Sequence, residues 1–341
     1  MCSVNYKPVP SMVEALLPIW RRVLQRPAIR PTDNFFDLHG RPSSAAQLCA
    51  EIASELGRDL PPVIICTAPT VETLAALLED PSPPRVPPLV LLKAGTEPPP
   101  VFIAHGLGGD VLGLCDLAGK INSRHSIYGL QARGVDGIDE PLSSIEEMAQ
   151  FHLNAIQQLQ TRGPYFLIGY SLGGLVMIEI ARRLQAEGNQ IALLALMDTY
   201  PDKKVVPVVQ RTLLSLRQAK RLPRKLIETA QGRKKSERKD KAGTELLPNQ
   251  SSGSTSQVLQ RMKDADYRAW RSYRPQFYRG RIRFVKAEIS TYFPSNPTAV
   301  WAHFAEKFEV ETVPGDHLGM LTTDFDSLAS ILSRYLSEAS T

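Results

Sequence analysis

Residues 164–173 read Pro-Tyr-Phe-Leu-Ile-Gly-Tyr-Ser-Leu-Gly, and this stretch decides the fold of the chain. An apolar run that fits a buried strand ends in Gly169-Tyr-Ser-Leu-Gly173, and a helix is predicted over 172–186. The two glycines allow a sharp strand-to-helix turn that exposes the serine hydroxyl, because larger side chains would clash there. The helix start also favours developing negative charge. Ser171 is therefore the candidate nucleophile, although an inert serine in a tight turn has the same local pattern.

Further strands are predicted on both sides of this stretch. They cover 100–105, 191–197, 281–287 and 308–313. Continuous apolar strands that alternate with helices indicate a parallel sheet covered by helices on both faces. The fold class is therefore α/β.

A serine hydroxyl needs a base, and the motif Val313-Pro-Gly-Asp-His-Leu318 supplies a candidate. It follows the last predicted strand and places His317 on a loop at the carboxyl end of that strand. This fits the Ser…acid…His chain order of α/β-hydrolases. A lone histidine is more often a surface or packing residue, and we interpret His105, at the end of a buried strand, in that way.

Two acids compete for the third position of a catalytic triad. Asp198 ends the strand that follows the nucleophile helix, and Glu288 ends the next strand. Asp198 terminates a purely apolar run, so it should emerge at the carboxyl edge of a central strand, where sites lie. We favour Asp198 and expect Asp202 and Asp316 to be solvated neighbours.

The developing oxyanion needs two backbone N–H donors. We expect one from Leu172, directly after the nucleophile, and the other from the loop His105-Gly-Leu-Gly-Gly109, most naturally Leu107. A plain glycine turn and a phosphate-binding loop are the alternatives. The loop lacks the Lys-Ser/Thr ending of a phosphate loop.

The chain divides at a proline run. Five of the eight residues 81–88 are prolines, which indicates a semi-rigid linker. We predict a leader over 1–9, an all-helical domain over 10–80, and an α/β-hydrolase domain over 89–341 with a lid at about 200–270.

Composition limits the class of protein. Of 341 residues, 43% are apolar and 22% are charged, which argues against a disordered chain. No apolar stretch approaches the about 18–20 residues of a membrane helix, and no secretory signal is visible, so we expect a cytoplasmic protein without a membrane span. The cysteines show neither metal nor disulfide spacing and are expected to be reduced; they are Cys2, Cys49, Cys66 and Cys115.

Basic charge is concentrated in one segment. Residues 203–241 contain 14 Lys/Arg and 3 Asp/Glu, a local charge of +11 in a chain of +5. No nucleic-acid motif or stacking aromatics accompany it, so we expect a solvated lid face and no nucleic-acid partner. An acidic carrier that arrives in trans is the partner that this charge would favour.

The C-terminal block resembles the terminal thioesterases of nonribosomal peptide and polyketide synthetases. The matching motifs are Pro-Val-Phe-Ile-Ala-His-Gly-Leu-Gly-Gly, Gly-Tyr-Ser-Leu-Gly-Gly, Leu-Ala-Leu-Met-Asp and Val-Pro-Gly-Asp-His. The resemblance implies an acid at Asp198 and a lid over about 200–270. It also implies a Ser171-His317-Asp198 triad that requires no metal and no cofactor for hydrolysis.

The N-terminal block resembles a peptidyl or acyl carrier domain. Residues 33–48 parallel the family pattern D-N-F-F-D-L-G-G-x-S-L-x-A-x-x-L, but the phosphopantetheine serine falls on Pro42. Ser43 is adjacent and out of register by one residue. The resemblance therefore implies a degenerate carrier, with 4'-phosphopantetheine on a partner carrier.

These observations favour a serine acyl-thioesterase that releases an acyl or peptidyl chain by hydrolysis or cyclisation. An acyl- or peptidyl-carrier protein or a synthetase module would be its partner. A non-catalytic docking module of a synthetase and a lipid ester hydrolase are the alternatives that the sequence leaves open.

Overall fold

The computed structural model describes residues 11–216, 253–290 and 292–340. The predicted leader 1–9 lies outside these residues, as does the greater part of the basic segment, from residue 217 onward. Within the described residues, no helix is both long and apolar enough to cross a membrane.

The N-terminal part is helical, as the sequence predicts. Its helices are α1 (Met12–Val23), α2 (Pro42–Leu56), α3 (Ile64–Thr67) and α4 (Val71–Glu79). Ser11 forms a capping box with Glu14 ahead of α1, and Thr70 caps α4. Helix α2 begins at Pro42, because the fixed φ of proline suits the first helical position.

The C-terminal part is built on a seven-stranded sheet. Its strands are β1 (Leu89–Lys93), β2 (Glu97–Ala104), β3 (His125–Leu130), β4 (Tyr165–Tyr170), β5 (Ile191–Met197), β6 (Tyr278–Ile289) and β7 (Ala305–Asp316). The strand order is β1-β3-β2-β4-β5-β6-β7. Only β1 pairs antiparallel, with β3, and the other pairs are parallel. The predicted α/β fold class is confirmed.

Helices cover the sheet. They are α5 (Cys115–Lys120), α6 (Ile145–Leu159), α7 (Leu172–Ala186), α8 (208–216), α9 (Gly253–Ser272), α10 (Pro297–Trp301), α11 (Gly319–Thr322) and α12 (Phe325–Ala339). Helices α8 and α9 lie within the predicted lid region of about 200–270. Helix α7 matches its predicted bounds.

The helical N-terminal part packs directly on the sheet domain. One buried apolar cluster runs from α1–α4 into the residues beneath β1, β2 and α5. Helix α3 contacts β1, and the sulfur atoms of Cys66 in α3 and Cys115 in α5 lie 3.4 Å apart. No disulfide joins these two cysteines in the described residues, and the reduced state of the thiols stays a prediction.

Candidate active site

Ser171 lies at the sharp turn between β4 and α7. Its backbone has φ 53° and ψ −119°, a conformation rare for a residue with a side chain. The turn is tight because neighbouring backbones approach closely: a Cβ on Gly169 would come within 2.4 Å of the Gly174 Cα. Glycine is therefore required beside the serine, and the strained turn holds the Ser171 hydroxyl at the carboxyl end of the sheet.

A continuous chain of hydrogen bonds joins the three residues singled out in the sequence. The Nε2 atom of His317 lies 3.0 Å from the Ser171 Oγ, and its Nδ1 atom lies 2.8 Å from an Asp198 carboxylate oxygen. Asp198 follows β5 and His317 follows β7, so the parallel sheet delivers all three side chains to one edge. This is the geometry of a nucleophile, a base and an orienting acid.

Asp198 is held firmly in place. Its side chain is buried, and its second carboxylate oxygen accepts a hydrogen bond of 3.3 Å from the Ala287 N–H. Its own backbone N–H donates to the Val285 carbonyl at 2.8 Å. Glu288, the competing acid, is exposed at the end of β6. The structure thus pairs Asp198, and not Glu288, with the histidine.

Two aromatic residues that the sequence did not single out support His317. The Tyr170 hydroxyl donates to the His317 carbonyl at 2.6 Å, and its ring stacks on the imidazole with centroids 4.9 Å apart. The Phe293 ring meets the imidazole edge-on, also at 4.9 Å. Tyr170 occupies the variable position before the nucleophile, so no motif marks it.

The glycine loop after β2 lies beside the nucleophile. A Cβ on Gly106 would be 3.5 Å from the Ser171 Cβ, and one on Gly173 would be 2.2 Å from the His105 carbonyl oxygen. Leu172 is the first residue of α7, where the backbone N–H has no acceptor within the helix. Among the backbone hydrogen bonds of the described residues, none uses the Leu107 N–H. Nor does the Leu172 N–H bind a backbone acceptor in the part of the chain that the structure describes, and the oxyanion role of both N–H groups stays a prediction.

His105 has a structural environment, as we interpreted it. It is buried, and its Nδ1 lies 2.6 Å from the Gly106 carbonyl oxygen. Burial lowers the pKa of His105 to about 4, so the ring is neutral near pH 7 and can donate to that carbonyl. Its neighbour His152 is also buried, and burial lowers its pKa to about 3.

The two acids expected to be solvated differ. Asp316 is exposed and accepts hydrogen bonds from the Leu318 and Gly319 N–H groups. Asp202, however, is buried and accepts a hydrogen bond from the Lys204 N–H at 2.9 Å. The expectation for Asp202 was wrong because the chain folds back over it in a local turn.

The arrangement fits acyl transfer through a covalent intermediate. A hydroxyl with a hydrogen-bonded base can attack a carbonyl carbon, and amides at a helix start can stabilise the resulting oxyanion.

Comparison with known proteins indicates which acyl-transfer family this is. Residues 99–336 match the family model of the thioesterase domain, and residues 14–78 match the model of the phosphopantetheine attachment site.

Proteins with sequences similar to part of this chain include large synthases. The dimodular nonribosomal peptide synthase of Bacillus subtilis (strain 168) is 35% identical over 208 residues, which are 60% of this chain and 9% of that protein. Indigoidine synthase of Dickeya dadantii (strain 3937) is 35% identical over 182 residues, which are 53% of this chain and 12% of that protein. This chain thus spans a small fraction of the length of these relatives.

Solved structures share the fold. A holo four-domain nonribosomal peptide synthetase bound to AMP and glycine matches with a TM-score of 0.60 and 21% identity, over 99% of this chain and 27% of that chain. The NocB thioesterase domain, in covalent complex with a fluorophosphonate nocardicin G analogue, matches with a TM-score of 0.51 and 20% identity, over 72% of this chain and 96% of that domain. Since the thioesterase family model covers more than half of the residues and the fold agrees with it, this chain belongs to the thioesterase domain family of α/β-hydrolases.

Proposed function

We propose that the protein is an acyl-thioesterase that releases an acyl or peptidyl chain from a carrier in nonribosomal peptide or polyketide biosynthesis. The single observation that carries this proposal is the hydrogen-bonded chain Ser171–His317–Asp198. Membership of the thioesterase family and the synthase relatives support the substrate class. The role is consistent with the cytoplasmic location that the sequence predicts, which stays a prediction.

The proposed reaction has two halves. The Ser171 Oγ attacks the thioester carbonyl as His317 Nε2 accepts the hydroxyl proton, while Asp198 holds the proton of Nδ1 in place. The oxyanion is stabilised by the Leu107 and Leu172 N–H groups. Its collapse expels the pantetheine thiolate, which takes the proton from His317 Nε2 and leaves the imidazole neutral. The acyl-serine ester is then attacked by water, or by a nucleophile of the acyl chain itself, as His317 accepts the proton of that nucleophile. The bond between the acyl carbon and the Ser171 Oγ breaks, and His317 returns the proton to the Oγ. The first nucleophile gives a free acid and the second gives a cyclic product.

We infer that the acyl chain arrives on a separate carrier. Residues 14–78 match a phosphopantetheine-site family, yet the attachment register is occupied by Pro42, which has no hydroxyl to modify. Ser43, the next residue, is exposed in the first turn of α2 and is the alternative acceptor. Incubation with coenzyme A and a phosphopantetheinyl transferase should leave the intact mass unchanged. An adduct localised to Ser43 would show that the protein carries its own acyl chain.

The triad is tested with a fluorophosphonate probe and a soluble acyl-thioester such as an N-acetylcysteamine thioester. The wild type and the matched control Ser43→Ala should be labelled and should release thiol, whereas Ser171→Ala should do neither. Labelling that survives in Ser171→Ala would refute the nucleophile assignment. A wild type that is not labelled and hydrolyses no thioester would favour a docking module, and faster turnover of oxygen esters would favour a lipid ester hydrolase.

A further inference from the structure

Helix α9 lies on the glycine loop beside the nucleophile. A Cβ on Gly108 would be 3.3 Å from the Leu259 Cδ1, and one on Gly109 would be 2.5 Å from the Met262 Cε. Both glycines have positive φ, at 96° and 83°, so the loop uses a conformation that other residues rarely adopt. The helix therefore covers a loop whose backbone conformation favours glycine at both positions.

One polar contact joins this helix to the loop. A carboxylate oxygen of Asp266 accepts a hydrogen bond of 2.8 Å from the Gly108 N–H. Leu259, Met262 and Asp266 are spaced by three and four residues, which places them on one face of α9. The contact holds the peptide plane between Leu107 and Gly108, directly after the predicted oxyanion donor.

Asp266 lies in an environment that is unfavourable for a carboxyl group. Only 1% of its surface is exposed, and in the described part of the chain its other carboxylate oxygen has no hydrogen-bond partner. Burial raises the pKa of Asp266 to about 7, against the lowering effect of the Gly108 hydrogen bond. A buried, half-satisfied carboxyl destabilises a fold, whereas an apolar side chain of similar size would not. Stabilisation of the fold therefore does not explain why an aspartate occupies this position, and a role in the active site would.

A second anchor ties the same helix to the acid side of the site. The Trp270 Nε1 donates to the Tyr200 carbonyl at 2.9 Å, one helical turn beyond Asp266. Tyr200 lies two residues after Asp198. Helix α9 thus contacts the loop on the oxyanion side through Asp266 and the segment after β5 through Trp270.

We propose that Asp266 is a positioning residue for the oxyanion loop: by binding the Gly108 N–H, it orients the Leu107 N–H toward the reacting carbonyl. The consequence is that oxyanion stabilisation requires α9 to be seated on the loop. This inference rests on the proposed thioesterase function. The ionised form of Asp266 suits the task, because a charged acceptor forms a stronger hydrogen bond with a backbone N–H than a neutral one.

The expected effect is confined to the transition state. Loss of a complete oxyanion donor costs about 10²–10³-fold in kcat in a serine protease, which sets the ceiling. Asp266→Leu removes the acceptor and should lower kcat by about 10–100-fold, while Asp266→Asn keeps a weaker acceptor and should lower it less. KM should change little, because the ground-state carbonyl does not depend on the missing contact.

The test combines steady-state kinetics with a transition-state analogue. The Ser171 Oγ adds to the carbonyl of an acyl trifluoromethyl ketone, the hydroxyl proton passes to His317, and the ketone oxygen becomes the oxyanion. Inhibition by this compound should weaken in both Asp266 variants in proportion to their loss of kcat. Asp264→Asn is the matched control, since Asp264 is exposed on the same helix.

Two results would overturn the inference. One is unchanged kcat in both Asp266 variants, and the other is a loss of kcat with unaltered inhibition by the ketone. If Asp266→Leu fails to fold, as judged by its circular dichroism and melting curve, Asp266→Asn decides the matter alone. A parallel measurement on Ser171→Ala distinguishes failure of the positioning role from failure of the proposed function. An inactive Ser171→Ala together with normal Asp266 variants refutes only the positioning role of Asp266. An active Ser171→Ala refutes the proposed thioesterase mechanism itself.

Discussion

Replacement of Asp198 by asparagine is the sharpest perturbation of the proposed triad. Asp198 uses both carboxylate oxygens, one toward His317 Nδ1 at 2.8 Å and one toward the Ala287 N–H at 3.3 Å. An asparagine has one oxygen and one NH₂ group. The Ala287 N–H can bind only the oxygen, so the NH₂ group must face Nδ1. His317 is then forced into the tautomer that carries its proton on Nε2.

That tautomer cannot accept the Ser171 proton, because Nε2 lies 3.0 Å from the hydroxyl and already bears a hydrogen. In a serine protease the corresponding change lowers kcat by about 10⁴-fold. At about 1.36 kcal/mol for each factor of ten, this corresponds to about 5.4 kcal/mol of lost transition-state stabilisation. We expect a loss of the same order here, with KM within about threefold of the wild type because the substrate pocket is unchanged.

The assay is thiol release from a soluble acyl-thioester, together with the rate of fluorophosphonate labelling. Glu288→Gln is the matched control: it makes the same acid-to-amide change on an exposed side chain at the end of the next strand. Its kcat should stay within about twofold, as for other exposed sites away from the chemistry. A larger loss for Glu288→Gln than for Asp198→Asn would move the acid to β6. A loss below about tenfold in a folded Asp198→Asn would refute the tautomer argument.

Two further substitutions test the support of the site. Tyr170→Phe removes the hydroxyl that donates to the His317 carbonyl. We expect about a tenfold lower kcat and a free energy of unfolding lowered by about 1–3 kcal/mol, because that carbonyl loses its donor; unchanged kcat would show that stacking alone positions the ring. Gly174→Ala places a Cβ 2.0 Å from the Thr199 Oγ1 and should destabilise folding by about 1–3 kcal/mol or more in urea denaturation. Gly113→Ala, whose Cβ meets nothing within 4 Å, should leave the denaturation midpoint unchanged, and equal effects of the two would contradict the packing argument.

The central strands could be predicted because apolar composition and burial coincide there. Strand β5 and helix α7 match their predicted bounds, since the buried residues of β5 are all apolar and those of α7 are apolar or glycine except Glu179. Strands β6 and β7 extend beyond their predictions at both ends. Strand β7 lies at the sheet edge and is largely exposed, so polar residues continue through it without ending the strand.

Other elements were not predicted because tertiary contacts determine them. Strand β3 lies between β1 and β2, yet it begins with a buried histidine. His125 is tolerated there because its ring nitrogens meet the Glu97 carbonyl and the Ser340 hydroxyl, the latter 215 residues away in sequence. Helix α3 has the apolar run Ile-Ile-Cys, which favours a strand locally, and becomes helical because it is buried against β1.

The candidate triad was accessible to sequence reasoning for a topological reason. Parallel strands place their carboxyl ends at one edge of the sheet, so residues that follow β4, β5 and β7 must converge. Ser171, Asp198 and His317 each follow one of these strands directly. Tyr170 and Phe293 act only through the surface that they present to the imidazole, and no strand position or motif marks such a contact.

Asp266 is a different case, because the sequence does contain a signal for it. The buried residues Met262, Ala265 and Ala269 define the inward stripe of α9 at helical spacing, and Asp266 falls on that stripe. Asp264, two residues earlier, is an ordinary exposed acid that accepts a hydrogen bond from its own helix. An acidic residue on an apolar helix face destabilises the fold. Residues that depart from the apolar pattern in this way are found mostly at functional sites. What the stripe cannot reveal is the partner: the Gly108 N–H lies 158 residues away, and only the folded arrangement of α9 over the glycine loop brings the two together.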